Sequence, residues 1–215
     1  MRDPSELYTR RGTPLIVAGS RVLFLVYFAA AAAFIVYNVF PASHYSFSWL
    51  LYLLALYYIL ERLYAFFAAK NIDMSFAFPL ALVTYVLNLV SMALNAQSKL
   101  PIINRAEHFV SFIILSYVVW IFFLKYLPQK VWRNHPYYTA IIVLAVTALF
   151  GVVNEHMELF MDELLGSRLI GDRLDTSLDL LMNTLGAGTF LATRLILLAG
   201  SEQKAAPLAG QKTVQ

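Results

Sequence analysis

The chain has 215 residues, of which 60% are hydrophobic and 13% charged, with a formal net charge of +3 and no cysteine. A soluble domain is nearer 45–50% apolar and about 25% charged, so the composition excludes an ordinary soluble globular domain and points to a membrane. The missing cysteines exclude a disulfide framework and a thiolate metal site, and no folded basic patch is present to serve nucleic acid.

In chain order the sequence predicts an all-α integral membrane bundle of about six transmembrane helices. Residues 1–21 read as a cytoplasmic tail, 22–199 as the transmembrane domain, and 200–215 as a second cytoplasmic tail that is disordered. The spans fall at about 22–40, 48–69, 75–96, 105–124, 137–158 and 175–194. No charge interrupts Val22–Phe40 or the stretch between Asp73 and Lys99, and roughly 20 apolar residues are enough to cross a bilayer core. The first run is too long for the core of a cleaved signal, so it reads as a retained helix. Pro41, Pro101, Pro128 and Pro136 fall in or beside loops, and Pro79 sits near the start of span three, where a missing N–H is tolerated.

Lys and Arg set the orientation. The N-terminal tail, the connection after span two with the end of that span, the connection after span four and the C-terminal end together hold twelve of the 16 basic residues. The other side has Lys99, Arg105, Arg168 and Arg173. Both termini are therefore expected in the cytoplasm, and basic tails beside anionic lipid account for the net charge.

Spans four and six carry polar residues at the outer end. Span four is uncharged only over Phe109–Leu124 and span six over Leu180–Thr193, both short of a full crossing. Arg105, Glu107, His108, Asp175 and Asp179 must then reach into the outer leaflet, beside Asn154, Glu155, His156 and Glu158 of span five. At 100° per residue Gly151, Glu155, Glu158 and Asp162 share one stripe, and Asp172, Asp175, Asp179, Asn183 and Gly186 a second. His156 points away from the first. Ionisable groups within a membrane are costly unless paired, hydrated or bound. Crowded carboxylates are relieved by a shared proton, by a partner such as Arg105, or by a cation. The oxygen-rich set Glu155, Glu158, Asp175 and Asp179 with His108 suits Mg, Mn or Ca, and Zn or Fe if His108 ligates.

Plainer readings stand beside these. Asp172 and Asp175 suit helix N-caps, and Glu158, Asp162 and Glu163 suit a solvated helix end. Arg105 can serve as a structural partner of Asp179 and Glu155, and His108 as an interfacial hydrogen-bonding residue. Glu61 and Arg62 read as a local pair that snorkels. Gly186-Ala187-Gly188 suits close helix packing, and His44 and His135 carry no role.

The motifs Arg105-Ala-Glu-His108-Phe109, Asn154-Glu155-His-Met-Glu158 and Asp172-Arg-Leu-Asp175-Thr-Ser-Leu-Asp179-Leu-Leu-Met-Asn183-Thr-Leu-Gly186-Ala187 resemble the VanZ-like and YjdF-type group of small bacterial membrane proteins. The resemblance covers about residues 100–195 and is most specific in span six. It departs from the group in having Arg-Ala-Glu before His108 where an Asp or Lys pattern is expected. It implies a bacterial inner-membrane location and action at the outer face, without supplying a reaction.

Three functions are consistent with these residues. The first is binding of a lipid headgroup, an envelope precursor or a partner helix. The second is a metal-dependent hydrolase or transferase acting on a lipid-linked substrate, with His108, Glu155 and Asp179 catalytic and Arg105, Asn154 and Asn183 binding substrate. The third is a proton- or cation-coupled transporter. No serine has a base at a known spacing, so no nucleophile decides among them.

Overall fold

The computed structural model describes residues 14–37, 47–70, 72–93, 100–126, 134–165 and 172–209, together with 128 and 131. The connections and tail segments that carry Arg2, Arg10, Arg11, Lys99, Lys130, Arg133, Arg168 and Lys212 lie outside the described residues, as does His44. Among the described residues six long helices follow one another: α1 (Pro14–Val36), α2 (Phe47–Ala68), α3 (Ala77–Ala93), α4 (Pro101–Tyr126), α5 (Pro136–Leu165) and α6 (Arg173–Ala209). Five contain segments long and apolar enough to cross a membrane, while α3 offers the shorter apolar stretch Ala77–Ser91.

The first and last helices extend into the segments expected as tails. Pro14 occupies the first position of α1, where its missing N–H costs nothing. Leu15-Ile16-Val17 follow, and Val17 is buried in the core, so α1 begins before residue 22. At the other end α6 runs to Ala209, through Glu202, Gln203, Lys204, Ala205 and Ala206, which are good helix formers.

Successive helices alternate in direction, and contacts along their length show it. Arg21 near the start of α1 meets Glu61 late in α2, and Tyr64 of α2 meets Phe78 at the start of α3. Phe67 of α2 lies beside Tyr126 at the end of α4, and Arg194 of α6 lies over Trp120 of α4. The start of α1 and the later half of α6 thus share one end of the bundle. The opposite end gathers the start of α2, the end of α3, the start of α4, the later part of α5 and the start of α6.

The most extensive packing is between α4 and α6, followed by α5 on α6, with α1 on α3 and α4 on α5 next. Because α4 and α6 run parallel, their contacts keep a constant register. Asn104 meets Asp179 and His108 meets Asn183, each pair 75 residues apart. Gly186 makes this possible: a Cβ there would lie 2.3 Å from the Phe109 carbonyl oxygen, so only glycine lets the backbones approach this closely. Gly188 faces open space, so the tight contact belongs to the first glycine of the pair.

Along α1–α3 the core is aromatic. Phe24 packs on Tyr57 and Tyr85 at 4.6 and 5.1 Å between ring centroids, and the Tyr85 hydroxyl donates to the Leu53 carbonyl at 2.7 Å. Glu61 does not pair with its neighbour Arg62. Adjacent residues on a helix point about 100° apart, so Glu61 faces α1 while Arg62 is exposed. Arg21 donates to both Glu61 oxygens at 2.8 and 2.6 Å, and the Tyr57 hydroxyl adds a third bond at 2.7 Å. Large apolar side chains such as Leu25, Leu51, Ile59, Ile141 and Leu181 point outward, which is what a lipid-facing surface requires.

Replacing Gly186 by alanine should push α6 off α4 and destabilise the protein by about 1–3 kcal/mol, the usual cost of overpacking. Thermal unfolding of the detergent-solubilised variant measures this, with Gly188→Ala as the neutral comparison.

Candidate functional site

The polar residues at the α2-start end converge because each helix repeats them one turn apart. On α4 these are Asn104 and His108, on α6 Asp179 and Asn183, and on α5 Glu155, one turn after the small Gly151. His108 and Asp179 lie roughly 9–11 Å inside their helix starts at 1.5 Å per residue. They are therefore well within the bundle.

Three of them meet. His108, Glu155 and Asp179 each present one potential ligand atom, and these atoms lie within 4.8 Å of one another. Glu155 is 5% exposed and Asp179 4%. His108 Nε2 stands 3.6 Å from Asp179 Oδ2. Asn104 Nδ2 donates to both Asp179 oxygens at 3.3 and 3.2 Å, and His108 Nδ1 bonds Asn183 Oδ1 at 3.1 Å. Glu155 Oε1 and Asn183 Nδ2 are buried without a hydrogen-bond partner. Gly151 admits this arrangement, since a Cβ there would lie 3.0 Å from Asn183 Nδ2.

Beside the triad lies a cavity of about 110 Å³, lined by polar groups of α3, α4 and α5 and by Trp49 of α2. That is room for three or four waters at about 30 Å³ each. A hydrogen-bond chain fixes its wall: Trp49 Nε1 donates to Asn88 Oδ1 at 3.2 Å, and Asn88 Nδ2 donates to Glu107 Oε1 at 2.9 Å. Across the cavity the Tyr52 hydroxyl donates to Asn154 Oδ1 at 3.2 Å, and Asn154 Nδ2 donates to Glu158 Oε1 at 2.8 Å. Four carboxylates, Glu107, Glu155, Glu158 and Asp179, thus belong to one region whose cationic candidates are His108 and Arg105.

The five-residue ligand set expected from the sequence is narrower here. Glu158 faces the cavity and is engaged by Asn154, and Asp175 stands outside the converging three because it lies in the first turn of α6. The N-cap is Asp172, whose Oδ1 accepts from the N–H groups of Leu174 and Asp175 at 2.9 Å each. The cap is therefore Asp172 rather than Asp175, because the helix starts at Arg173. Arg105 forms no ion pair with Asp179 or Glu155 among the described residues, and its Nε is buried without a hydrogen-bond partner. Asn104, its neighbour, holds Asp179 instead. Asn154 lines the cavity, while Asn183 orients His108. His156 is exposed and bonds the Val152 carbonyl at 2.8 Å, turned away from the cluster.

Sequence reasoning passed over Trp49, Tyr52, Asn88 and Asn104. Their signal was present: Asn88 is an amide within an otherwise apolar span, and an amide in that position needs a partner.

Asn104→Ala removes the donor held against both Asp179 oxygens. The variant should lose about 1–3 kcal/mol of stability, the cost of a buried acceptor left unsatisfied, seen as a lowered Tm beside an unaffected His156→Ala control.

Comparison with curated proteins and with solved structures returns no match. A family model described as "Predicted membrane protein (DUF2238)" matches residues 21–200, a stretch that contains most of α1, all of α2–α5 and the α6 motif. The polar cluster thus lies within the part of the chain that defines the family, and the protein is a member of the DUF2238 family of membrane proteins.

Proposed function

We propose that the protein is a six-span inner-membrane protein of bacteria, with both termini in the cytoplasm, that binds the polar headgroup of an outer-leaflet lipid or lipid-linked precursor. The observation that carries this reading is the cavity walled by Asn88, Glu107, His108, Asn154 and Glu158 inside an apolar bundle. Polar groups in such a place are retained at a cost, which a functional ligand explains. The excess of carboxylates selects against a bare phosphate and for an ammonium-bearing headgroup, such as that of phosphatidylethanolamine. The asymmetry of Lys and Arg supports the orientation. Kinship with the VanZ-like and YjdF-type group, resting on the motifs around His108 and Asp179, belongs to the same proposal.

A second reading is metal-assisted hydrolysis or group transfer on a lipid-linked substrate. It is favoured by the convergence of His108, Glu155 and Asp179 next to that cavity.

Native mass spectrometry of the purified protein with phosphatidylethanolamine and phosphatidylglycerol tests the first reading. Preferential retention of the former, weakened about tenfold in Glu107→Gln and Glu158→Gln as expected for loss of a charge-assisted bond, is the expected result. Equal retention of both lipids would sink it. The cysteine-free chain also suits topology mapping. A membrane-impermeant maleimide should label Ser43→Cys on intact cells, and Ser5→Cys and Ser201→Cys only after permeabilisation.

A further inference from the structure

We propose that His108, Glu155 and Asp179 form the binding site of a divalent transition-metal cation of the zinc or manganese class. This goes beyond headgroup binding and does not depend on it; it deepens the second reading above by naming the ligands and the class of the cation, and it requires no catalysis.

The three side chains come from three different helices and converge to within 4.8 Å in the bundle interior. Two buried carboxylates so placed are relieved by a shared proton, by a cationic partner or by a bound cation. The protein supplies little positive charge directly. Asn104 is a neutral donor, Arg105 acts on Asp179 through space without an ion pair, and Glu155, though bonded to Asn154, keeps Oε1 buried without a hydrogen-bond partner. An orphaned carboxylate oxygen on a residue 5% exposed, within a cluster that already holds a second carboxylate and an imidazole, is what a cation would satisfy.

The imidazole adds an independent argument. Its Nδ1 faces the carbonyl oxygen of the Asn183 side chain, an acceptor, so Nδ1 carries the hydrogen. In the neutral ring Nε2 then presents a lone pair toward Asp179 Oδ2 at 3.6 Å. That separation is too long for a hydrogen bond, and two lone pairs facing each other repel. It does match the ligand–ligand edge of about 3.4 Å around a tetrahedral ion with bonds of about 2.0–2.2 Å, while the three atoms together span up to 4.8 Å, so the cluster closes in by about 1 Å when an ion binds. The hydrogen bonds from Asn104 to Asp179 and between Asn183 and His108 are of the kind that orient metal ligands from behind.

One nitrogen and two carboxylate oxygens, without sulfur, suit zinc or manganese; magnesium and calcium prefer oxygen-only, more hydrated sites. Three protein ligands also leave coordination positions free. His108 lines the neighbouring cavity, so water or a ligand's oxygen can reach the ion from there.

The experiment is elemental analysis of the full-length protein in detergent, stripped with chelator and reloaded with Zn²⁺ or Mn²⁺, together with titration of each metal. The expected result is about one cation per chain, with affinity lowered at least tenfold in His108→Gln, Glu155→Gln and Asp179→Asn. Asn183→Ala should weaken it by about 10–100-fold, and His156→Ala should leave it unchanged. Where a ligand variant fails to fold, Co²⁺ loaded into the wild type gives a second readout. Visible absorption bands of a nitrogen-ligated, low-coordinate site are expected, with loss in Asn183→Ala. Failure of the wild type to retain stoichiometric metal, or equal binding by wild type and folded ligand variants, overturns the proposal. So does a doubly protonated His108 ring by NMR in metal-treated protein, which would mark an ion pair with Asp179 instead. Lipid retention is measured separately, so a protein that binds lipid without metal, or metal without lipid, tells the two proposals apart.

Discussion

The close parallel contact of α4 and α6 at Gly186 governs the polar end of this molecule. With the Phe109 carbonyl against the glycine, the two helices share one register over several turns. Asn104 then falls opposite Asp179 and His108 opposite Asn183 as a matter of helical geometry. A side chain at residue 186 would separate the helices and break all of these pairings together. Gly151 performs the same service for α5, bringing Glu155 to the seam between α4 and α6. Two glycines on neighbouring helices therefore decide whether the cluster exists.

Within that seam, electrostatics are unusually demanding. The outer surface of the bundle is apolar and the inner volume carries carboxylates, the reverse of a soluble protein. Each acidic group has been given its own answer. Glu107 is held by Asn88, Glu158 by Asn154, and Asp179 by Asn104. Glu155 is left with an unpartnered oxygen. Amides serve as neutral donors throughout, and they position the carboxylates without cancelling their charge. Both proposals above, the ammonium headgroup and the metal, draw on this arrangement of carboxylates held by neutral donors.

The other half of the bundle has a different task. Around Phe24, Tyr57 and Tyr85 the packing is aromatic, and a strong charge pair, Arg21 with Glu61, clamps α1 to α2. Arg21 also lies 5.6 Å from the centre of the Phe78 ring and 5.9 Å from that of Tyr64, so the guanidinium is held by ring faces as well as by carboxylate. Trp49 and Tyr52 carry this half into the cavity wall through Asn88 and Asn154.

The sequence by itself determined the membrane class, the helices and their approximate places, because hydrophobic runs of spanning length are a one-dimensional signal. It also determined that Glu155 and Glu158 share a face, as do Asp179 and Asn183, since the helical repeat relates residues within one helix. What it could not carry were relations between helices. That Asp179 rests on Asn104 rather than Arg105, that Glu61 answers Arg21 rather than Arg62, and that Asn88 reaches Glu107 depend on which faces meet and in what register. Those choices were made by packing, above all by the glycine at 186, where one missing Cβ lets two backbones touch.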